Sequence, residues 1–132
     1  MHSFPRWTVL ILALVTTGCD GGGTGEAPAG GEYVAALESP NGPEGAALLE
    51  LSGSGVESIT ATSLSLFRQP TSAGTRLMLV REPAGRLEFR VRMSAGSRPP
   101  AVRVVEVVDG DDRQRASLDG YEVTFTPVRG NP

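Results

Sequence analysis

The segment RLEFRVRM, residues 86–93, decides the fold of this chain. In this segment the apolar residues Leu87, Phe89, Val91 and Met93 alternate with arginine and glutamate. Because successive side chains of a β-strand point to opposite faces of the sheet, the alternation predicts a strand with one buried and one solvated face. A shift of one residue would bury four charged side chains, so the pattern also specifies which face is buried.

Short apolar runs continue from Tyr33 onward, and Gly, Pro, Asn or Asp interrupts them about every 8–14 residues. This spacing is typical of an all-β sandwich or barrel. We predict a single two-sheet antiparallel β-sandwich, Ig-like in architecture, with about eight or nine strands. It would occupy residues 33–127, with 128–132 as a C-terminal tail. The predicted strands are 33–39, 46–52, 56–60, 62–68, 75–81, 86–93, 101–108, 114–118 and 121–126.

Turn residues between these runs predict how the strands connect. The turn SPNGPEG at 39–45 predicts that strands 33–39 and 46–52 pair, and Glu82–Gly85 predicts a hairpin between 75–81 and 86–93. The apolar alternation changes phase at Val104 and Val105, which indicates a β-bulge or a strand covered on both faces. Segment 45–51, GAALLEL, is the one stretch whose composition also suits a helix.

The first nineteen residues have the layout of an export signal. His2 and Arg6 precede an apolar run that is too short to span a bilayer, and small residues then lead into Cys19, the single cysteine. The ending TTGC at 16–19 resembles the lipobox of bacterial lipoproteins, in which the cysteine is lipidated and becomes the new N-terminus. The resemblance implies a signal peptide at 1–18 and a lipid at Cys19. The domain would then be held on the periplasmic or extracellular side of a membrane, with the leaflet undetermined.

Two alternatives to lipidation stay open at this stage. Lipoboxes usually carry Leu three residues before the cysteine, where this chain has Thr16, so secretion of a soluble protein cut nearby is one of them. The other is that Cys19 is an ordinary thiol and that residues 8–18 form a buried strand or helix. In either case residues 19–32, which include DGGGTGEAPAGG, have too few apolar residues to form a core and are predicted to be a flexible linker.

Removal of the signal peptide would also remove most catalytic residue types. His2 and Trp7 are the only residues of their kinds, and the chain contains no lysine. This composition excludes Ser-His-Asp and Cys-His catalysis, histidine-ligated metals and lysine Schiff bases in the mature protein. We therefore predict that the protein is not an enzyme and has no cofactor beyond the covalent lipid. Without Arg6, eleven arginines remain against fifteen acidic residues, and this net charge near −4 predicts no binding to nucleic acid.

A row of arginines is the first candidate binding site. Arg86, Arg90 and Arg92 share the outward face of the 86–93 strand, and Arg81 or Arg103 is predicted to extend this row across the sheet. Guanidinium groups in a row suit a carboxylate-bearing protein partner or an acidic polysaccharide. The alternative is a solvated strand face on which the arginines pair with neighbouring glutamates and protect the edge against aggregation.

An acidic turn is the second candidate. Asp109, Asp111 and Asp112 offer carboxylate oxygens to calcium, although the spacing is not that of an EF-hand. The alternative is a hairpin turn built on Asp-Gly. Glu44 and Asn41 would join a calcium site only if the fold brings their loop to this turn.

Three segments resemble the cohesin-like and carbohydrate-binding-module-like β-sandwiches of bacteria: NGPEGAALLEL at 41–51, GRLEFRV at 85–91 and LDGYEV at 118–123. The resemblance implies extracellular recognition of a protein or a polysaccharide. We predict a non-catalytic binding module of the cell envelope that contacts membrane lipid through Cys19 and a protein partner through its folded domain. The alternatives are a carbohydrate- or calcium-linked ligand-binding module and a structural envelope component with no small ligand.

Overall fold

Eight antiparallel β-strands form the part of the chain that the computed structural model describes, residues 30–129. They are β1 (Gly31–Glu38), β2 (Glu44–Ser52), β3 (Val56–Thr60), β4 (Ser65–Thr71), β5 (Gly74–Gly85), β6 (Glu88–Met93), β7 (Ala101–Val108) and β8 (Glu122–Pro127). One sheet has the order β3-β6-β1-β8 and the other has the order β4-β5-β2-β7. We name them the β1 sheet and the β2 sheet. The predicted two-sheet sandwich is confirmed, with eight strands.

The alternating segment lies where its pattern predicts. Phe89, Val91 and Met93 of β6 are buried, as is Leu87 just before it, while Arg90 and Arg92 are exposed. Strand β6 is an inner strand of the β1 sheet, between β3 and β1, and its apolar face therefore lies over the centre of the core.

The core is filled by apolar side chains from the inner faces of both sheets. The β1 sheet contributes Ala35, Leu37, Ile59, Phe89, Val91 and Met93. The β2 sheet contributes Ala47, Leu49, Leu51, Leu77, Leu79 and Val107. Near β8, Tyr121, Val123 and Phe125 pack on this cluster from one side, as predicted from their alternation. Tyr33 and Phe125 meet edge to face with ring centroids 6.5 Å apart.

The strands pair in a nested order. β1 pairs with β8, β2 with β7, β3 with β6, and β4 with β5. Two further pairings, β1 with β6 and β2 with β5, join these pairs into the two sheets. Among the described strands, β4 and β5 are the one pair of neighbours in sequence that are also neighbours in a sheet.

Both sequence-predicted strand pairings across turns are wrong. Strands β1 and β2 belong to different sheets, so the turn after Glu38 crosses from one layer to the other. Likewise β5 runs on through Gly85, and β6 then lies in the opposite sheet. The physical reason is that turn residues only permit a reversal of direction. Placing consecutive strands in facing layers lets the apolar faces of both strands, such as Leu37 and Leu49, bury each other.

The predicted β-bulge in 101–108 is confirmed. Leu48 pairs with Glu106 and Leu49 with Val104, which leaves Val105 as the extra residue and changes the phase of β7. Segment 45–51 is part of strand β2 and not a helix. The strand predicted at 114–118 is wrong, because this segment contributes a single bridge between Gln114 and Val108.

Candidate binding surface

The outward side of the β2 sheet presents ordered rows of side chains. The register places residues of β4, β5, β2 and β7 side by side across the sheet. The first row is Ser65, Val80, Ala46 and Val108; the second is Phe67, Met78, Leu48 and Glu106; the third is Gln69, Arg76, Glu50 and Arg103. We call this side the outer face. Its first two rows are apolar except for Ser65 and Glu106, which lie on the edge strands.

The centre of the outer face is apolar and open to solvent. Phe67 is 59% exposed and Met78 is 47% exposed, which makes them the two most exposed of the large apolar side chains within residues 30–129. Two shallow grooves flank Met78 and Leu48, one of about 180 Å³ toward Val108 and one of about 150 Å³ toward Phe67. Single exposed apolar residues are ordinary, but a contiguous apolar patch with a polar border is typical of a binding surface.

A charged row borders this patch. Arg76 donates a hydrogen bond of 2.7 Å to Glu50, and Arg103 binds the other carboxylate oxygen of Glu50. The hydrogen bonds from Arg103 and Arg76 lower the pKa of the Glu50 carboxyl below its ordinary value. The row therefore remains a fixed sequence of positive, negative and positive charges at neutral pH.

One feature of the sequence indicates this surface: an apolar run without the alternation expected of a strand with one solvated face. TRLMLVR at 75–81 is apolar at consecutive positions, and the structure shows both faces: Leu77 and Leu79 enter the core, whereas Met78 and Val80 point outward. A strand of an antiparallel sheet normally needs one apolar face. The second apolar face of β5 marks a surface that the sandwich itself does not cover.

The arginine row lies on the outward side of the β1 sheet. Arg86 binds Glu38 and Glu88, each at 3.0 Å, and Arg90 binds Glu32 at 3.1 Å. Arg92 is exposed on the same side. These ion pairs match the solvated-face alternative, in which glutamates neutralise the arginines.

The predicted extension of this row is wrong. Arg81 lies on β5 and Arg103 on β7, and both strands belong to the other sheet. Arg81 donates a hydrogen bond to the carbonyl oxygen of Arg86, which lies in the connection between β5 and β6. Arg103 instead belongs to the charged row of the outer face. A sequence pattern could not separate these arginines, because it does not reveal the sheet to which each strand belongs.

A buried polar cluster connects the two sheets at one end of the sandwich. Glu44, at the start of β2, is only 1% exposed. Its carboxylate accepts hydrogen bonds from Ser39 at 2.7 Å, from the Tyr121 hydroxyl at 2.6 Å and from Arg115 at 3.1 Å. Asn41 donates to the Tyr121 hydroxyl at 2.8 Å. The bond to Glu44 raises the pKa of Arg115, which keeps that partner charged.

The acidic turn lies beside this cluster, and its hydrogen bonds match the alternative of a turn that its own aspartate closes. Asp109 accepts hydrogen bonds from the backbone amides of Asp111 at 2.8 Å and Arg113 at 3.0 Å, and so closes its own turn. Asp112 has a φ of 60°, as expected for a turn residue. The fold does bring Glu44 to this side of the molecule, where it binds Arg115. Within residues 30–129 no group of three or more His, Cys, Asp or Glu is placed to hold a metal ion.

The Asp109 turn leads to a prediction about pH. The two backbone hydrogen bonds lower the pKa of Asp109 below its ordinary value of 3.8. A carboxyl with a lowered folded pKa stabilises the fold above its unfolded pKa, and that contribution is lost as the pH falls through the folded pKa. We therefore expect Asp109→Asn to be less stable than the wild type at pH 7, and the difference to shrink as the pH falls below 3.8. Urea unfolding of both proteins from pH 7 downward measures this difference, and a gap that is independent of pH would contradict it.

The remaining predictions fall partly or wholly outside the described residues. Cys19, the signal peptide at 1–18 and nearly all of the linker at 19–32 precede residue 30. Within 30–129 the structure contains no helix that is long and apolar enough to cross a bilayer. Comparison with known proteins adds no further information, because no protein-family model, curated protein or solved structure matches this chain.

Proposed function

We propose that this protein is an exported lipoprotein, anchored through Cys19, that serves the cell envelope as a non-catalytic binding module. It binds a protein partner through the outer face of the β2 sheet. The observation that supports this most directly is the apolar patch around Met78, Leu48 and Phe67. Apolar and aromatic side chains at the centre of a patch, with charges at its border, are the composition of protein–protein interfaces.

The contrast between the two outward sides of the sandwich supports this assignment. On the β1 sheet the outward positions carry mostly glutamate, arginine and threonine, with Val34 and Ala36 between them, and Arg86 and Arg90 are already paired with glutamates. On the β2 sheet the equivalent positions carry Met78, Val80 and Leu48. A sheet in water is stable with one solvated face, so the second apolar face is explained by a partner that covers it.

The direction of the strands gives the module an orientation. The linker from Cys19 enters β1 at Gly31, and Val128, just after β8, lies at the same end, where its amide donates a hydrogen bond of 2.8 Å to the carbonyl oxygen of Glu32. The apolar rows lie toward the opposite end, near Glu44 and the start of β2. Under this proposal the anchored protein therefore presents its binding surface away from the membrane.

Two measurements on the native host test the proposal. The first is the intact mass of the protein extracted from membranes, which we expect to equal residues 19–132 plus a diacylglyceryl group, with or without a further acyl chain. A protein found free in the medium at an unmodified mass would contradict the anchor. In that case the search for partners would move to soluble proteins.

The second measurement locates the binding face. A photo-crosslinking amino acid is placed at Met78, at Thr126 or at Arg92, and intact cells are irradiated. We expect covalent adducts with a protein from Met78 and none from Thr126, an exposed position on the other sheet that serves as the matched control. Adducts from Arg92 alone would assign binding to the arginine row. The absence of adducts at all three positions would contradict a binding module.

A further inference from the structure

We infer that the partner on the outer face is a second copy of this chain, related by a two-fold axis that runs parallel to the strands between β5 and β2. This inference rests on the proposed function in that it takes the outer face as the binding face. A two-fold interface joins one surface patch to itself, so the patch must be complementary to its own rotated copy. The outer face meets this condition along its central strands.

The central apolar residues match each other under this rotation. The rotation places β5 of one copy opposite β2 of the other copy. Each row of one copy then faces the same row of the other copy. Met78 then lies opposite Leu48 of the second copy, and Val80 lies opposite Ala46. Each contact occurs twice, which places four apolar pairs beside the axis. The grooves that flank Met78 and Leu48 are filled by the same residues of the other copy.

The charges in the third row match as well. Arg76 and Glu50 are direct cross-strand neighbours on β5 and β2. The rotation sets Arg76 of each copy opposite Glu50 of the other, so both central contacts join opposite charges. At the margin, Phe67 comes to lie against the aliphatic part of Glu106, whose carboxylate remains at the solvent-exposed rim. Packed sheets twist relative to each other, and the match is therefore best beside the axis and looser at the corners.

The direction of the axis suits two anchored chains. A rotation about an axis parallel to the strands keeps both β1 strands pointing the same way, so the Gly31 ends of both copies lie on the same side. Two copies held in one membrane need this arrangement. An axis perpendicular to the strands would send the two linkers in opposite directions.

The size of the face indicates a weak dimer. A fourth row, which passes through Ser52 and Gly74, completes the face. Four strands about 4.8 Å apart and four rows about 6.8 Å apart give a face on the order of 500 Å² per copy, at the low end for specific interfaces. Anchoring both copies in one membrane raises their effective concentration and offsets this weakness. We therefore expect copies to associate in the membrane more readily than in dilute solution.

Charge reversal provides a test that is specific for this axis. Full-length chains with two different C-terminal tags, each with a photo-crosslinking amino acid at Met78, are coexpressed and irradiated in intact cells, and the fraction of one tag that is then isolated with the other is measured. Arg76→Glu in both copies sets two carboxylates against each other at each central contact, and Glu50→Arg in both copies sets two guanidinium groups against each other. We expect each variant to reduce co-isolation by about tenfold, because two attractive contacts become repulsive. In a dimer of one Arg76→Glu chain and one Glu50→Arg chain, both central contacts again join opposite charges. We therefore expect coexpression of the two variants to raise co-isolation above the level of either variant alone.

Controls separate this inference from the proposed function. Thermal unfolding of each variant shows that it is folded, and Thr126→Glu, on the other sheet, should leave co-isolation unchanged. Wild-type copies that do not co-isolate would overturn the inference, and so would a wild-type dimer whose co-isolation neither charge reversal reduces. If Met78 crosslinks to a different protein while copies of this chain do not co-isolate, the inference fails and the proposed function stands. If Met78 gives no adduct and copies do not co-isolate, both fail.

Discussion

Replacing Phe89 with alanine is expected to lower the free energy of unfolding by about 3–5 kcal/mol. Phe89 lies on the inner face of β6 and is only 1% exposed. It is among the largest fully buried side chains within residues 30–129. Its removal takes apolar surface out of the core and leaves a cavity that the rigid sheets on either side cannot fill by collapsing.

Phe67 provides a matched control, because it allows the same substitution on a strand of the same protein. Its side chain lies on the outer face and is 59% exposed, so Phe67→Ala is expected to cost less than about 1 kcal/mol. Urea unfolding of both variants, compared at equal m-values, measures the difference. Similar losses for the two variants would contradict the assignment of inner and outer faces. Phe67→Ala is expected instead to weaken the association of copies.

Replacing Glu44 with alanine is the second substitution with a large expected effect. The carboxylate of Glu44 is buried, and it is the common acceptor for Ser39, Tyr121 and Arg115. Without it, Arg115 loses its ionic partner and two hydroxyls lose their acceptor in a buried site. We expect the free energy of unfolding to fall by about 2–4 kcal/mol. This is less than for a fully buried ion pair, because the Arg115 side chain stays 25% exposed.

Glu50 supplies the control for this prediction. It also accepts hydrogen bonds from arginines, Arg76 and Arg103, but these pairs lie on the solvent-exposed outer face. Exposed ion pairs stabilise proteins little, so Glu50→Ala should change stability far less than Glu44→Ala. Glu44→Gln keeps one acceptor oxygen and should fall between the two. Equal losses of stability in Glu44→Ala and Glu50→Ala would show that burial does not increase the contribution of the Glu44 cluster to stability.

The sequence predicted the strands and their faces far better than their partners. Alternation in β6 and the phase change at Val105 are local features, and each corresponds to a local property of the backbone. Which strands pair depends on contacts between residues that are far apart in the sequence. The turn at 39–45 carries no information about those contacts. The predicted strand at 114–118 failed for a related reason, since Arg115 serves a distant carboxylate, Glu44, and does not extend the sheet.

The same limit explains what was missed in the candidate sites. Met78 and Phe67 lie on different strands, and only the register of β4 with β5 shows that they are neighbours. Glu44 was considered as an acid in a turn because its burial depends on Tyr121 and Arg115, more than seventy residues away. The run of consecutive apolar residues in β5 was the one local feature that indicated an apolar outward face on this sheet.

The nested pairing of strands has a consequence for how the chain folds. The β4–β5 hairpin closes with two residues in its turn, whereas β1 must wait for β8, which lies at the other end of the described chain. A topology dominated by such distant pairings has a high contact order, and proteins of this kind fold in milliseconds to seconds and not in microseconds. If the chain crosses a membrane N-terminus first, β1 emerges early and one of its edges stays unpaired until the last strand arrives. During this interval the unpaired edge of β1 is exposed to aggregation, and a chaperone that holds exported chains would be expected to bind it.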